Sequence, residues 1–266
     1  MVYGSVENVA SMEIFIAWLL APISGADTHT ISYEHQWHAR FMTLSWGVII
    51  PLGILIARYF KITRGQNWPL QLDNKFWWKT HLVLQIGGSV LSLWALNYVM
   101  DWGFGNERLA VSLHEVIGWS LVLLSLSQMI GGAFRGTKGE IPPNGLVLET
   151  TYSRPGDHYE MTRRRCLFEY LHKMGGYLAL ALACSNILIG LGISDAPRWM
   201  WLTIVGYWAL LMAVSCILQR QGRCVDTYQA IYGPGPALPG NQRRPIGWGI
   251  RRYEANEWPP DRHHRP

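Results

Sequence analysis

Five stretches of this chain contain no Asp, Glu, Lys or Arg: 41–57, 82–100, 116–134, 174–194 and 199–218. They are 17, 19, 19, 21 and 20 residues long. A helix rises 1.5 Å per residue, so about 20 apolar residues cross the ~30 Å hydrocarbon core of a bilayer. Each stretch therefore reads as a membrane span. Only 15% of the 266 residues are charged, against about 25% in an ordinary soluble domain. A soluble globule, a disordered chain and a secreted disulfide scaffold are excluded. The four cysteines form no C-x-x-C, so neither a zinc pair nor covalent haem attachment is signalled. Cys184 and Cys216 lie inside spans, as packing residues do.

The expected fold class is an all-α membrane protein: a four-helix transmembrane bundle with one further transmembrane helix and a short N-terminal interfacial helix. Residues 1–32 hold the apolar run Ile14–Ile23, broken by Pro22 and too short to span. No basic leader precedes it, so a cleaved signal peptide is not expected. The membrane domain covers 33–219, with spans at about 36–60, 76–100, 109–134, 167–193 and 198–219. Residues 135–166 form a polar loop. Residues 220–266 form a Pro/Gly/Arg-rich tail without a helical period, expected to be disordered alone; a partner that holds it down is a separate expectation.

Lys and Arg concentrate on one side. Arg58, Lys61, Arg64, Lys75 and Lys79 lie between the first two spans, and Arg135, Lys138, Arg154, Arg163, Arg164 and Arg165 between the third and fourth. The other side has Arg40, Arg108 and Arg198 among Glu7, Glu13, Asp27, Glu34, Asp101, Glu107 and Asp195. The expected orientation puts the N-terminus in the periplasm or a lumen and the C-terminus in the cytoplasm, in a bacterial cytoplasmic membrane. The net charge of +5 reflects this asymmetry and calls for no nucleic acid.

Of nine histidines, His38, His81, His114 and His172 each stand near the N-terminal end of a different span, the first to the fourth. Consecutive spans are antiparallel. Parity therefore puts His38 with His114 at one membrane face and His81 with His172 at the other. An imidazole in a membrane is costly unless it is partnered, so these are candidate functional residues. One intramembrane His alone reads equally as a packing or proton-relay group. Two facing imidazoles are the usual axial ligands of a low-spin b haem. Helix rise separates the two sites by roughly 20 Å. Gly47, Gly53, Gly87, Gly88, Gly118, Gly175 and Gly176 allow close approach of helices or of a flat macrocycle.

The run HARFMTLSWGVIIPLGILIARYFK (38–61) resembles the first core helix of the cytochrome b561 family, in particular the ferric-reductase-like branch often fused to DOMON domains. His38, Met42, Trp46, Gly47, Pro51, Gly53, Ala57 and Arg58 stand in that helix's positions, with Ala39 in place of the family's Gly. Phe76–Gly88 with His81 resembles the second helix. LHEVIGW, with His114 and Gly118 and followed by Gln128, resembles the third. YLHKMGGYLALALACSNILIGL, with His172, Gly176 and Asn186, resembles the fourth.

The resemblance covers about 36–193. It implies two b haems with bis-His ligation, His38–His114 and His81–His172, and electron transfer across the membrane. His35, one turn before His38, is a rival ligand, and the H-x-x-x-M spacing favours His38. Arg40, Arg108, Lys79 and Arg165 are candidates for haem propionates, and Lys75, Lys79 and Arg163–Arg165 for an anionic reductant such as ascorbate. The same cations also serve the positive-inside asymmetry. Family members oxidise ascorbate on one side and reduce monodehydroascorbate or ferric chelates on the other.

No DOMON domain precedes His38, so donor and acceptor stay open: ascorbate, quinone or a protein. The function expected is a dihaem electron carrier or transmembrane oxidoreductase in contact with membrane lipid. The alternative is an accessory or docking subunit of a larger respiratory or photosynthetic complex, held through 220–266, with or without haem. A transporter using His relays lacks the intramembrane Asp and Glu it would need.

Overall fold

A computed structural model describes residues 3–26, 30–100, 109–139 and 156–258. Helix α1 (Tyr3–Leu20) stops two residues before Pro22, as a residue preceding proline disfavours the helical region. Its end is tied to the turn after α7 (Arg163–Ile193). Ser24 donates to Asp195 through both its amide and its hydroxyl, and the Arg198 guanidinium bonds the Trp18 carbonyl and lies over its ring.

The first span is one continuous helix, Tyr33–Tyr59. It comprises α2 (Tyr33–Met42), a π-helical stretch (Thr43–Ile49) and α3 (Ile50–Tyr59). Ser32 caps its start by accepting from the His35 amide. Pro51 explains the widened turns. It has no N–H to give the carbonyl four residues back, which belongs to Gly47. That carbonyl accepts instead from the indole of Trp208, at 3.0 Å. Ser45, fully buried, donates to the Gly88 carbonyl at 2.6 Å and ties the stretch to α4 (Phe76–Leu96).

Helices α5 (Leu109–Ala133), α7 and α8 (Arg198–Arg220) complete the membrane region. Among the described residues four helices are long and apolar enough to cross a membrane: Tyr33–Tyr59, Val111–Ala133, Arg163–Ile193 and Arg198–Arg220. Helix α4 has 21 residues, enough to span by length, but Lys79, His81, Gln85, Ser89 and Ser92 reduce its apolar character. The chain is an integral all-α membrane protein. Its mid-bundle core is Trp46, Ile50, Leu121, Ala179, Ala183, Ile187 and Ile204.

The segment after α8 differs from the expectation of a disordered tail. It carries helix α9 (Thr227–Tyr232), capped by Asp226, and folds back onto its own chain. Tyr228, Ile231, Tyr232 and Leu238 are buried with Tyr159 and Met161 from the short helix α6 (Asp157–Glu160) and its end, against Trp77 and Cys166. Val225, Ala230 and Trp258 close over Ile62 and Trp68. Composition over the segment averages these few large side chains away among Pro, Gly and Arg. Residue by residue they supply an apolar core, and the Arg252 guanidinium organises the turns by bonding Asp226 and the carbonyls of Gly240, Asn241 and Arg243.

Candidate functional site: two histidine pairs in the helix bundle

The bundle brings His38 of α2 to His114 of α5, with ring centroids 6.2 Å apart and planes at 73°. It brings His81 of α4 to His172 of α7, again at 6.2 Å, with planes at 84°. No direct hydrogen bond joins the rings within either pair among the described residues. His35 stands outside: it is exposed and its Nδ1 lies 2.7 Å from the Ser32 hydroxyl.

Three of the four rings are fixed from behind. His38 Nδ1 is 3.1 Å from the Ala95 carbonyl, His81 Nδ1 3.1 Å from the Gly53 carbonyl, and His114 Nδ1 3.2 Å from the Asn186 carbonyl. A carbonyl only accepts, so each Nδ1 carries the proton and Nε2 keeps its lone pair. This is the usual support of a metal-ligating imidazole. His172 lies stacked on Phe168 at 5.3 Å and 26°, while its Nδ1 is buried with no partner among the described residues.

The arrangement fits a haem. A metal–imidazole bond is about 2 Å and a ring nitrogen lies about 1 Å from its ring centre, so an iron held through two Nε2 atoms separates the centroids by about 6 Å. Four turns of α7 lie between His172 and Asn186, which puts about 21 Å of helix between the two pairs. Among the described residues, Gly176, one turn from His172, has nothing within 4 Å of where a Cβ would stand, and the Cβ position at Gly118, one turn from His114, meets Asn186 at 3.6 Å. Small residues thus leave room beside both pairs. Among the described residues no cluster of three or more metal-ligating side chains exists, so the pairs are the candidate sites.

The cations named in the sequence take different places. Arg40 lies over the Trp37 ring and reaches Gln36, on the outside of α2. Lys79 is exposed. Arg165 is buried, and its Nε and Nη2 both bond Glu169 Oε1, at 3.1 and 3.0 Å. Arg164 closes the α5–α7 junction through the Phe134 carbonyl. Arg108 lies outside the described residues.

A buried polar cluster beyond His172 escaped the sequence reading. His158 stands against Tyr228 and Tyr232, 3.3 Å from Arg165 Nη2 and 3.5 Å from Glu169 Oε1. Glu169 also pairs with Lys173 at 2.8 Å, and Lys173 bonds the Ile246 carbonyl of the tail. Burial and the neighbouring Arg165 push the His158 imidazole down to about 3. Lys61 is likewise held down, to about 8, by burial beneath Val225. The i, i+4 spacing of Arg165, Glu169 and Lys173 was a readable signal. The participation of His158 was not, because it comes from a separate loop.

The fold and the two pairs define a class: an integral membrane helix bundle with a facing pair of histidines near each end. Over 213 residues the sequence is 28% identical to a putative ferric-chelate reductase 1 homolog of Drosophila melanogaster, covering 78% of this chain and 29% of that protein. It is 24% identical to a putative ferric-chelate reductase 1 of Xenopus laevis over 196 residues, 71% of this chain and 28% of the relative. A cytochrome b561 and DOMON domain-containing protein of Arabidopsis thaliana is 22% identical over 219 residues, 81% of this chain and 46% of the relative. The relatives bear out the resemblance to the cytochrome b561 family. The chain spans less than half the length of each of these three. No family model and no solved structure matches it.

Proposed function

We propose that this chain is a transmembrane electron-transfer protein that holds two b haems, one between His38 and His114 and one between His81 and His172. The observation that carries the reading is the repeated 6.2 Å separation of two rings, with three of the four fixed through Nδ1. Bound there, haem iron supplies one-electron chemistry, and two imidazoles per iron leave no open position for oxygen. The residues do the rest. The carbonyls of Ala95, Gly53 and Asn186 hold the imidazoles in the ligating tautomer. Trp46, Ile50, Leu121 and Ala183 exclude water between the pairs.

We assign Arg40, Arg108 and Lys79 to anionic groups at the two ends, propionates or substrate. The side carrying Lys61, Lys75, Lys138 and the tail is cytoplasmic by its Lys and Arg excess. The names of the relatives point to ferric chelates as the acceptor class.

The test is a reduced-minus-oxidised spectrum of the purified protein with haem quantified per chain. Two b haems are expected, and one in His114→Ala. Absence of haem from the wild type, or retention of both in the variant, overturns the assignment.

A further inference from the structure

Three of the four histidines are supported through Nδ1, and the three supports follow one rule. His38 and the Gly53 carbonyl lie on the first span, His81 and the Ala95 carbonyl on α4, and His114 on α5 bonds the Asn186 carbonyl of α7, which carries His172. The first span and α4 thus exchange bonds reciprocally: His38 to Ala95, and His81 to Gly53. In α4 the acceptor stands 14 residues after the histidine, and so does Asn186 after His172. At 3.6 residues per turn this is almost four turns, on nearly the same face. In the first span the offset is 15. That helix contains the π-helical stretch Thr43–Ile49, where one extra residue is taken up without changing the face.

Helices α5 and α7 should exchange in the same way. His114 reaches Asn186, and the reciprocal bond would run from His172 to the residue 14 beyond His114. That residue is Gln128. Gln128 Oε1 and His172 Nδ1 are both buried, and neither has a partner among the described residues. The Gln128 amide already lies against α7, where its Nε2 comes within 2.3 Å of the Cβ position of Gly175, the residue three after His172. A bulkier residue at 175 would exclude it. Phe168, stacked on His172, lies near Gly131, three residues beyond Gln128. All the parts of the fourth corner are therefore adjacent.

We infer that Gln128 is the positioning residue of His172, its side-chain Oε1 accepting the Nδ1–H and completing the fourfold pattern. Rotation of the amide brings its oxygen to the histidine, and both orphaned atoms are satisfied at once. The other three supports are backbone carbonyls, which no substitution removes. This one is a side chain, so the ligand strength of His172 can be altered by sequence. Hydrogen bonding at Nδ1 makes an imidazole more basic and favours the oxidised metal.

The effect on potential rests on the haem reading above. The test separates the two. In Gln128→Leu holoprotein, one of the two midpoint potentials should rise while the other stays in place, and Gln128→Glu, which keeps the acceptor, should hold that potential at or below its wild-type value. Nitrogen-15 histidine NMR of the same proteins, with or without haem, should show the His172 Nδ1–H signal lost in Gln128→Leu and kept in Gln128→Glu. Wild type that binds no haem overturns the haem reading alone, and the NMR comparison still decides on Gln128. Unchanged potentials with haem bound, or an unchanged His172 signal in Gln128→Leu, overturn the positioning role.

Discussion

The indole of Trp208 donates to the carbonyl of Gly47 at 3.0 Å, supplying the hydrogen bond that Pro51 cannot. The bond joins α8, which carries no histidine, to the π-helical turn of the first span. That turn sets the register between His38 and Gly53, and hence of both pairs. α8 therefore acts as a brace for the site.

Trp208→Phe leaves the Gly47 carbonyl buried without a donor. An unsatisfied buried acceptor costs about 1–3 kcal/mol, so the variant should unfold correspondingly earlier in a denaturant series in detergent. An unchanged midpoint would show that the turn closes on another donor.

Gly190 faces His114, and a Cβ there would stand 3.1 Å from its Cε1. Gly190→Ala should push the imidazole off its Asn186 contact and perturb the spectrum of one of the two proposed haems. Gly206→Ala, with nothing within 4 Å among the described residues, is the matched control and should leave the spectrum intact.

Replacing Glu169 by Gln removes the anion shared by Arg165 and Lys173, whose Arg165 side is 9% exposed. Leaving a buried charge uncompensated costs about 3–5 kcal/mol. The expected outcome is a lower melting temperature, with earlier proteolysis of the segment after α8.

His158 makes that end acid-sensitive. Its folded value of about 3 lies below the usual 6.5, since burial and Arg165 disfavour the charged ring, with Lys138 and Lys173 adding to the effect against Glu169. Between these values the unfolded chain binds the extra proton. Stability from this group is therefore complete above pH 6.5 and falls toward pH 3, by up to about 1.4 kcal/mol per pH unit. His158→Gln should flatten that part of the pH–stability curve relative to wild type. Parallel curves would refute the assignment.

Arg58 uses one guanidinium to bond Tyr177, Gln219 and the Trp248 carbonyl, joining α3, α7 and α8 to the final segment. Arg58→Lys cannot span these acceptors, and should speed proteolytic release of the segment around Trp248.

The membrane helices and the four histidines were legible because each rests on local regularities: charge-free runs of spanning length, and one His near the same end of four antiparallel spans. The π-helical stretch left only Pro51 as a sign. The buried cluster left a half-signal in Arg165, Glu169 and Lys173, with His158 supplied from another loop. The segment after α8 misled, because its average composition conceals Tyr228, Tyr232, Leu238 and Trp258.

By itself the sequence determined the class of fold, since charge and hydropathy act residue by residue against a fixed membrane thickness, and the separate charge-free runs place each histidine on its own helix. Tertiary structure alone decided what stands behind each imidazole. The carbonyls of Ala95, Gly53 and Asn186 are chemically identical to every other peptide carbonyl in the chain. Only the approach of helices distant in sequence makes these three the acceptors, and the same packing brings the final segment over the His81–His172 end.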